Sequence, residues 1–200
     1  MSAAFDAACE VEAQGMRVLL QYIERASDGR YVLTSKGPLS RHLQLIVGDV
    51  VMNSRRNGDV MGVEVKCEAE NRYRNLYIET WSNKNLDHRL AHAEHGVNRG
   101  WLDHSRADWL FYYFIRQDEL YIIDFFALKQ WAFGKHGEPG RIYDFPEKAQ
   151  GKYHQANKTH GRCVPIHVLA RELGEQAFFP VRATQLAFGF AQARFELGSK

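Results

Sequence analysis

Apolar positions recur at helical spacing over residues 4–25. Val11, Gly15, Val18, Leu19 and Tyr22 share one stripe, while Glu10, Gln14, Arg17 and Gln21 fall opposite. The pattern predicts an amphipathic helix that stops at Asp28-Gly29. Glu12 breaks the stripe: its neighbours at helical spacing are Ala8, Gly15 and Leu19, and an inward carboxylate needs a reason. Further along, the period changes to two. Strands are predicted over 43–55 and 60–68, around Asn57-Gly58, a strong hairpin signal, and again over 76–82. The polar stretch 83–108 reads as a loop with one short helix. Residues 109–116 and 120–128 are apolar on both faces, as central strands of a doubly covered sheet are. Helices are predicted over 127–133 and 167–173, closed by Gly134 and Gly174. A strand is expected to begin at Val164-Pro165-Ile166, and the Phe-rich tail to pack on the sheet. Together these elements predict an α/β or α+β fold, a mixed central sheet flanked by helices.

Composition adds limits. A chain of 200 residues with 45% hydrophobic and 12% aromatic content can bury a sizeable core, which excludes disorder as its main description. No repeat, low-complexity tract or linker interrupts it, so one domain is expected over 1–200, with a core over about 4–128 and a C-terminal extension over 129–200. The longest apolar run, 109–115, falls well short of the roughly 20 residues that cross a bilayer, so no membrane partner is expected. The first twelve residues carry acids and no basic cluster, unlike a secretory signal or transit peptide, and the expected compartment is the cytoplasm. Cys9, Cys67 and Cys163 form no CxxC, which argues against a disulfide framework or a zinc ribbon. Subtracting 24 acids from 26 bases leaves +2, too little to name a partner. Locally the balance differs, since seven Lys or Arg stand against three acids between Lys129 and Arg162.

The candidate chemistry lies in the first hairpin. With Asn57 and Gly58 as central turn residues, paired positions sum to 115. Lys66 then faces Asp49, and Glu64 faces Val51, one diagonal step of about 7 to 8 Å from Asp49. One strand face carries Asp49, Val51, Asn53, Gly62, Glu64 and Lys66; the other, with Val50, Met52, Met61, Val63, Val65 and Cys67, is core. Two carboxylates beside a glycine suit a divalent cation of the Mg²⁺ type, or Mn²⁺, which takes oxygen ligands and is often held by one or two carboxylates plus a substrate phosphate. A neighbouring lysine can hold the attacking water and offset negative charge that develops on a phosphoryl group.

At these residues the chain resembles the PD-(D/E)XK, or restriction-endonuclease-like, nuclease superfamily. The resemblance spans about 4–128 and rests on Asp49, the hairpin, and Glu64-Val65-Lys66. It implies a mixed sheet flanked by helices and Mg²⁺-dependent hydrolysis of DNA phosphodiesters. Asp49 and Glu64 become metal ligands and Lys66 a catalytic residue. In that family an early helix often supplies another acid, and the matching position is Glu12, a further catalytic and metal-ligand candidate. The stretch 75–79 (Asn-Leu-Tyr-Ile-Glu) with Ala107-Asp108-Trp109 looks like phage-encoded members. Gly48 stands where the family name has Pro. Glu-X-Lys alone is a weak string; its weight comes from the hairpin register, the one-sided carboxylates and Glu12. The alternative is an inactive module of the same fold that binds nucleic acid or protein without cutting.

Other clusters carry less. His88, His92 and His95 share one helical side, with His104 as a fourth zinc candidate, yet no catalytic Glu or Cys accompanies them and the reading is a His-rich loop. Glu79 shares a strand face with Tyr77 and Trp81 and reads equally as a further metal-shell acid or a rim acid. Asp108 begins a buried strand. For phosphate contacts the candidates are Lys152, Lys158 and Arg162, then Arg55 and Arg56 at the hairpin tip, with Arg72 and Arg74 beyond. DNA is the expected partner, and homodimerisation is left open.

Overall fold

The computed structural model describes residues 3–26, 31–33, 47–53, 60–81, 100–135, 138–150 and 159–184. The protein is α+β. Along the chain run α1 (Ala3–Ala26), β1 (Tyr31–Leu33), β2 (Val50–Asn53), β3 (Val60–Glu68), β4 (Asn75–Trp81), α2 (Trp101–His104), β5 (Trp109–Phe114) and β6 (Glu119–Asp124). There follow α3 (Phe125–Phe133), a 3₁₀ turn (Ile142–Asp144), β7 (Glu147–Gln150), β8 (Thr159–Pro165), α4 (Ile166–Leu173) and β9 (Phe178–Arg182). Six strands form a sheet in the order β1-β2-β3-β5-β6-β9, and three form another in the order β4-β8-β7. The chain divides into two compact units: Met1–Asn71, Arg106–Phe125 and Phe179–Lys200 make the first; Arg72–Ser105 and Phe126–Phe178 make the second. No described helix is long and apolar enough to cross a membrane.

The first unit holds the six-stranded sheet. The sheet is mixed: β3 runs parallel to β5, whereas β1–β2, β2–β3 and β5–β6 are antiparallel. A parallel neighbour cannot be reached through a tight turn. The chain leaving β3 therefore travels through β4 and α2 before β5 begins, which is why both units are discontinuous in sequence. The helix α1 covers one sheet face. Leu19, Tyr22 and Ile23 are buried there with Val50, Met52, Val63, Val65, Phe111, Tyr113, Leu120 and Ile122. Gly15 sets the approach, because a Cβ at that position would lie 2.5 Å from Cys67 Sγ. As their apolar faces predict, β5 and β6 are buried on both sides, joined by a turn with Asp118 at φ 52°. From the tail, β9 joins the edge of this sheet, and Phe179 packs with Trp109 at 6.1 Å between ring centroids.

The second unit is built on β8, which pairs antiparallel with β4 on one side and β7 on the other. Leu76, Ile78 and Val164 are fully buried in it. The predicted strand at Val164-Pro165-Ile166 is corrected: β8 ends there, having started at Thr159, because Pro165 has no N–H to continue the ladder and caps α4 instead. The helices over 125–133 and 166–173 end at Gly134 and Gly174, as expected, both at positive φ. Of the predicted strand over 43–55, the described part is β2 with its lead-in from Val47.

The hairpin register is also corrected. Val50 faces Val63, Val51 faces Gly62 and Asn53 faces Val60, so paired positions sum to 113 instead of 115. The connection therefore spans six residues, 54–59, and the Asn57-Gly58 step lies outside the described residues. The sum stays odd, so every side chain keeps its predicted face. The ladder ends at Val50–Val63, and beyond it Gly48 makes an isolated parallel bridge to Val63.

Candidate functional site

Asp49 sits just before β2, in a segment tied to β3 at several points. Its N–H donates to Val63 O at 2.8 Å, and its Oδ2 accepts from Val65 N–H at 2.8 Å. Gly48 makes this approach possible. Its φ is +82°, and a Cβ there would stand 2.5 Å from Val63 O. Proline, fixed near −65°, cannot adopt that conformation, so position 48 calls for glycine. Gly62 serves the same close passage, since a Cβ on it would fall 2.3 Å from Val47 O.

Beside Asp49 lie the two polar side chains of central β3. Glu64 is only 6% exposed, and its Oε1 accepts from Lys66 Nζ at 2.7 Å. Lys66 is the more accessible, with 30% of its side chain exposed. Burial, above all, pushes the Asp49 carboxyl up to about 6, and the negative charges of Glu64 and Glu12 add to it. The Lys66 ammonium and the Val65 N–H oppose the rise without cancelling it. Asp49, Glu64 and Lys66 thus act on one another, and the balance disfavours the negative charge on Asp49.

Glu12 departs from its predicted placement. It is exposed, so the inward reading is corrected; one turn further on, Gly15 is buried against Cys67 of β3. The Glu12 charge still reaches the site, raising Asp49 and Cys67. Burial pushes the Cys67 thiol up to about 12, which makes it a packing residue and not a nucleophile. Among the described residues, no three His, Cys, Asp or Glu side chains gather into a metal cage. The remaining donor set, one carboxylate from Asp49 and one from Glu64, is of the kind that holds a hydrated Mg²⁺-type ion alongside a phosphate.

The other candidates fall elsewhere. Lys152, Lys158, Arg55, Arg56, His88, His92 and His95 lie outside the described residues. Arg162, on β8, is turned inward within the second unit. It donates to Phe145 O, lies 3.8 Å from Glu147 Oε2 and stacks on Tyr143 at 5.1 Å from the ring centroid. Glu79 lies on β4, opposite Gly161. Asp108 acts as a brace for the hairpin. Its carboxylate accepts from Gly62 N–H at 2.7 Å while its own N–H donates to Gly62 O at 2.9 Å. The sheet also pairs two polar residues that the sequence reading does not single out, Glu68 and Tyr112, whose hydroxyl donates to Glu68 Oε1. Glu68 was within reach of the same period-two reading that selected Glu64 and Lys66. Tyr112 was not, because pairing between strands over forty residues apart leaves no local signal.

No family model, curated protein or solved structure matches the chain.

Proposed function

We propose that this chain is a Mg²⁺- or Mn²⁺-dependent nuclease that hydrolyses DNA phosphodiester bonds on a restriction-endonuclease-like core. The observation that carries the reading is the convergence of Asp49, Glu64 and Lys66: a 2.7 Å ion pair beside a carboxyl driven up to about 6. Two partly desolvated carboxylates with one lysine are a costly arrangement for a sheet face. Such cost is common where charges await a ligand.

In this reading Asp49 and Glu64 hold the divalent cation, with Glu12 influencing them from the helix. Bound there, the cation would supply positive charge to the phosphoryl oxygens. Lys66 hydrogen-bonds the attacking water and stabilises the negative charge that grows on phosphorus-bound oxygen. Asp108 and the Val65 N–H keep the hairpin and the Asp49 carboxylate in place.

The test is incubation with labelled linear, nicked, branched and single-stranded DNA, with and without Mg²⁺ or Mn²⁺. Cation-dependent products that disappear on chelation, and in Asp49→Ala and Glu64→Ala, are expected. Binding to DNA without products in any cation would favour the inactive binding module instead.

A further inference from the structure

The alternation that sets Glu64 and Lys66 on one face of β3 sets Glu68 there too. Lys66 therefore stands between two carboxylates, each two residues away, and a lysine stem is long enough to turn toward either. It pairs with Glu64 at 2.7 Å. Glu68 is engaged by another group. Tyr112, directly across from Lys66 in the parallel β3–β5 register, donates its hydroxyl to Glu68 Oε1. The tyrosine is held firmly: it is 2% exposed, and its ring lies 5.3 Å from that of Phe114, which faces Glu68. Without the hydroxyl, this half-buried carboxylate would need another donor. Lys66, next on the same strand face, carries three.

We propose that Tyr112, anchored on Glu68, is a positioning residue that directs the Lys66 ammonium to Glu64 and away from Glu68. The direction of the lysine is a matter of geometry alone, whereas its consequence for cleavage rests on the nuclease reading above. Tyr112→Phe removes one oxygen and keeps the ring, so the packing against Phe114 is retained.

The lysine's ε-carbon resonance, assigned by its loss in Lys66→Arg, reports its partner without any need for activity. In the native background, Glu64→Gln shifts this resonance and Glu68→Gln does not. In Tyr112→Phe, Glu68→Gln becomes the substitution that shifts it. A Lys66 resonance indifferent to Glu68→Gln in Tyr112→Phe, or equally sensitive to it in both backgrounds, overturns the proposal. On a DNA that the native chain cuts, Tyr112→Phe lowers kcat about tenfold at nearly constant KM, and adding Glu68→Gln restores it to within about twofold. Loss of kcat that Glu68→Gln fails to rescue overturns the positioning role, since a merely structural defect has no reason to be repaired by a second substitution. A native chain that cuts nothing removes the nuclease reading, and the resonance still decides where Lys66 points.

Discussion

Two clusters of charge in this protein are built from similar residues and come to opposite balances. On β7 and β8 of the second unit, Glu147 accepts from His160 Nδ1 at 2.8 Å and has Arg162 at 3.8 Å, while Arg162 also donates to a carbonyl and stacks on Tyr143. One acid there meets two basic side chains. On the hairpin of the first unit the proportions are reversed: Asp49 and Glu64 share the influence of Lys66, with Glu12 adding negative charge, and Asp49 is pushed up to about 6. A buried acid that meets opposite charges is costly to strip of them. A cluster that leaves negative charge in excess costs stability, and such a cost is retained where function uses it.

The largest effect that separates the two clusters is on catalysis. Lys66→Ala is expected to bind Mn²⁺ and DNA about as well as the native chain and to lose cleavage by about 10³-fold or more, because its contribution is made at the developing charge and not in the ground state. Calorimetry for the metal and gel shift for DNA, set beside initial rates, check this. A Lys66→Ala protein that cuts at the native rate would reduce the hairpin to a solvated sheet face and erase the contrast.

Next in size is Arg162→Ala, which leaves Glu147 with one fewer cation and opens a gap beside Tyr143. With 14% of its side chain exposed, Arg162 is buried enough for the loss to cost roughly 2 kcal/mol, read by urea denaturation. Such a variant should still cut DNA once folded. Weakened DNA binding with undiminished stability would show instead that Arg162 faces a phosphate.

How much of this was legible in the sequence depends on the range of the forces involved. Alternation along 60–68 identified the β3 face bearing Glu64 and Lys66, because side-chain period in a strand is a local property. Helical spacing likewise placed Leu19 and Tyr22 in the core. Other features escaped the sequence because they are settled at long range. The hairpin sum of 113 reflects a six-residue connection and the close passage of Val47 over Gly62, which a turn dipeptide does not encode. That β4 joins β8, about eighty residues away, in a sheet of its own is likewise a long-range pairing. For Glu12 the stripe gave the right helix and the wrong depth: Glu12 is exposed, and Gly15, one turn on, is buried against Cys67. Arg162 looked like a free cation because its partners Phe145, Glu147 and Tyr143 meet it only when β7 pairs with β8.

The cost of the acidic cluster is itself measurable. Asp49 titrates near 6 in the folded chain against 3.8 for an ordinary aspartate, so the folded state holds its proton more tightly. Its contribution to stability is present in full below about pH 4 and is lost as pH rises through 6. Asp49→Asn removes the charge while its amide oxygen can still accept from Val65 N–H. That variant is therefore expected to be more stable than the native chain at pH 7.5, by about 2 kcal/mol, with the gain vanishing near pH 4. Mg²⁺ should raise the Tm of the native chain at pH 7.5 and leave that of Asp49→Asn unchanged. Equal stability at both pH values would mean that Asp49 is solvated and the cluster carries no excess charge.

The smallest effect concerns the rest of the basic stretch that contains Arg162. If Arg162 is committed to Glu147, the phosphate contacts expected of that stretch pass to Lys152 and Lys158, which lie outside the described residues. Neutralising either should weaken DNA binding only a few-fold and reduce the slope of log affinity against log salt by about 0.9 for duplex DNA, since each lost contact releases one fewer condensed counterion. Arg162→Ala, corrected for its unfolded fraction, should leave that slope where it was. The three variants therefore assign each cation to one role by two independent readouts, salt slope and denaturation midpoint. A slope that falls for Arg162 and stays level for both lysines would invert the assignment, making β8 part of the DNA surface and leaving the lysines as solvated charge.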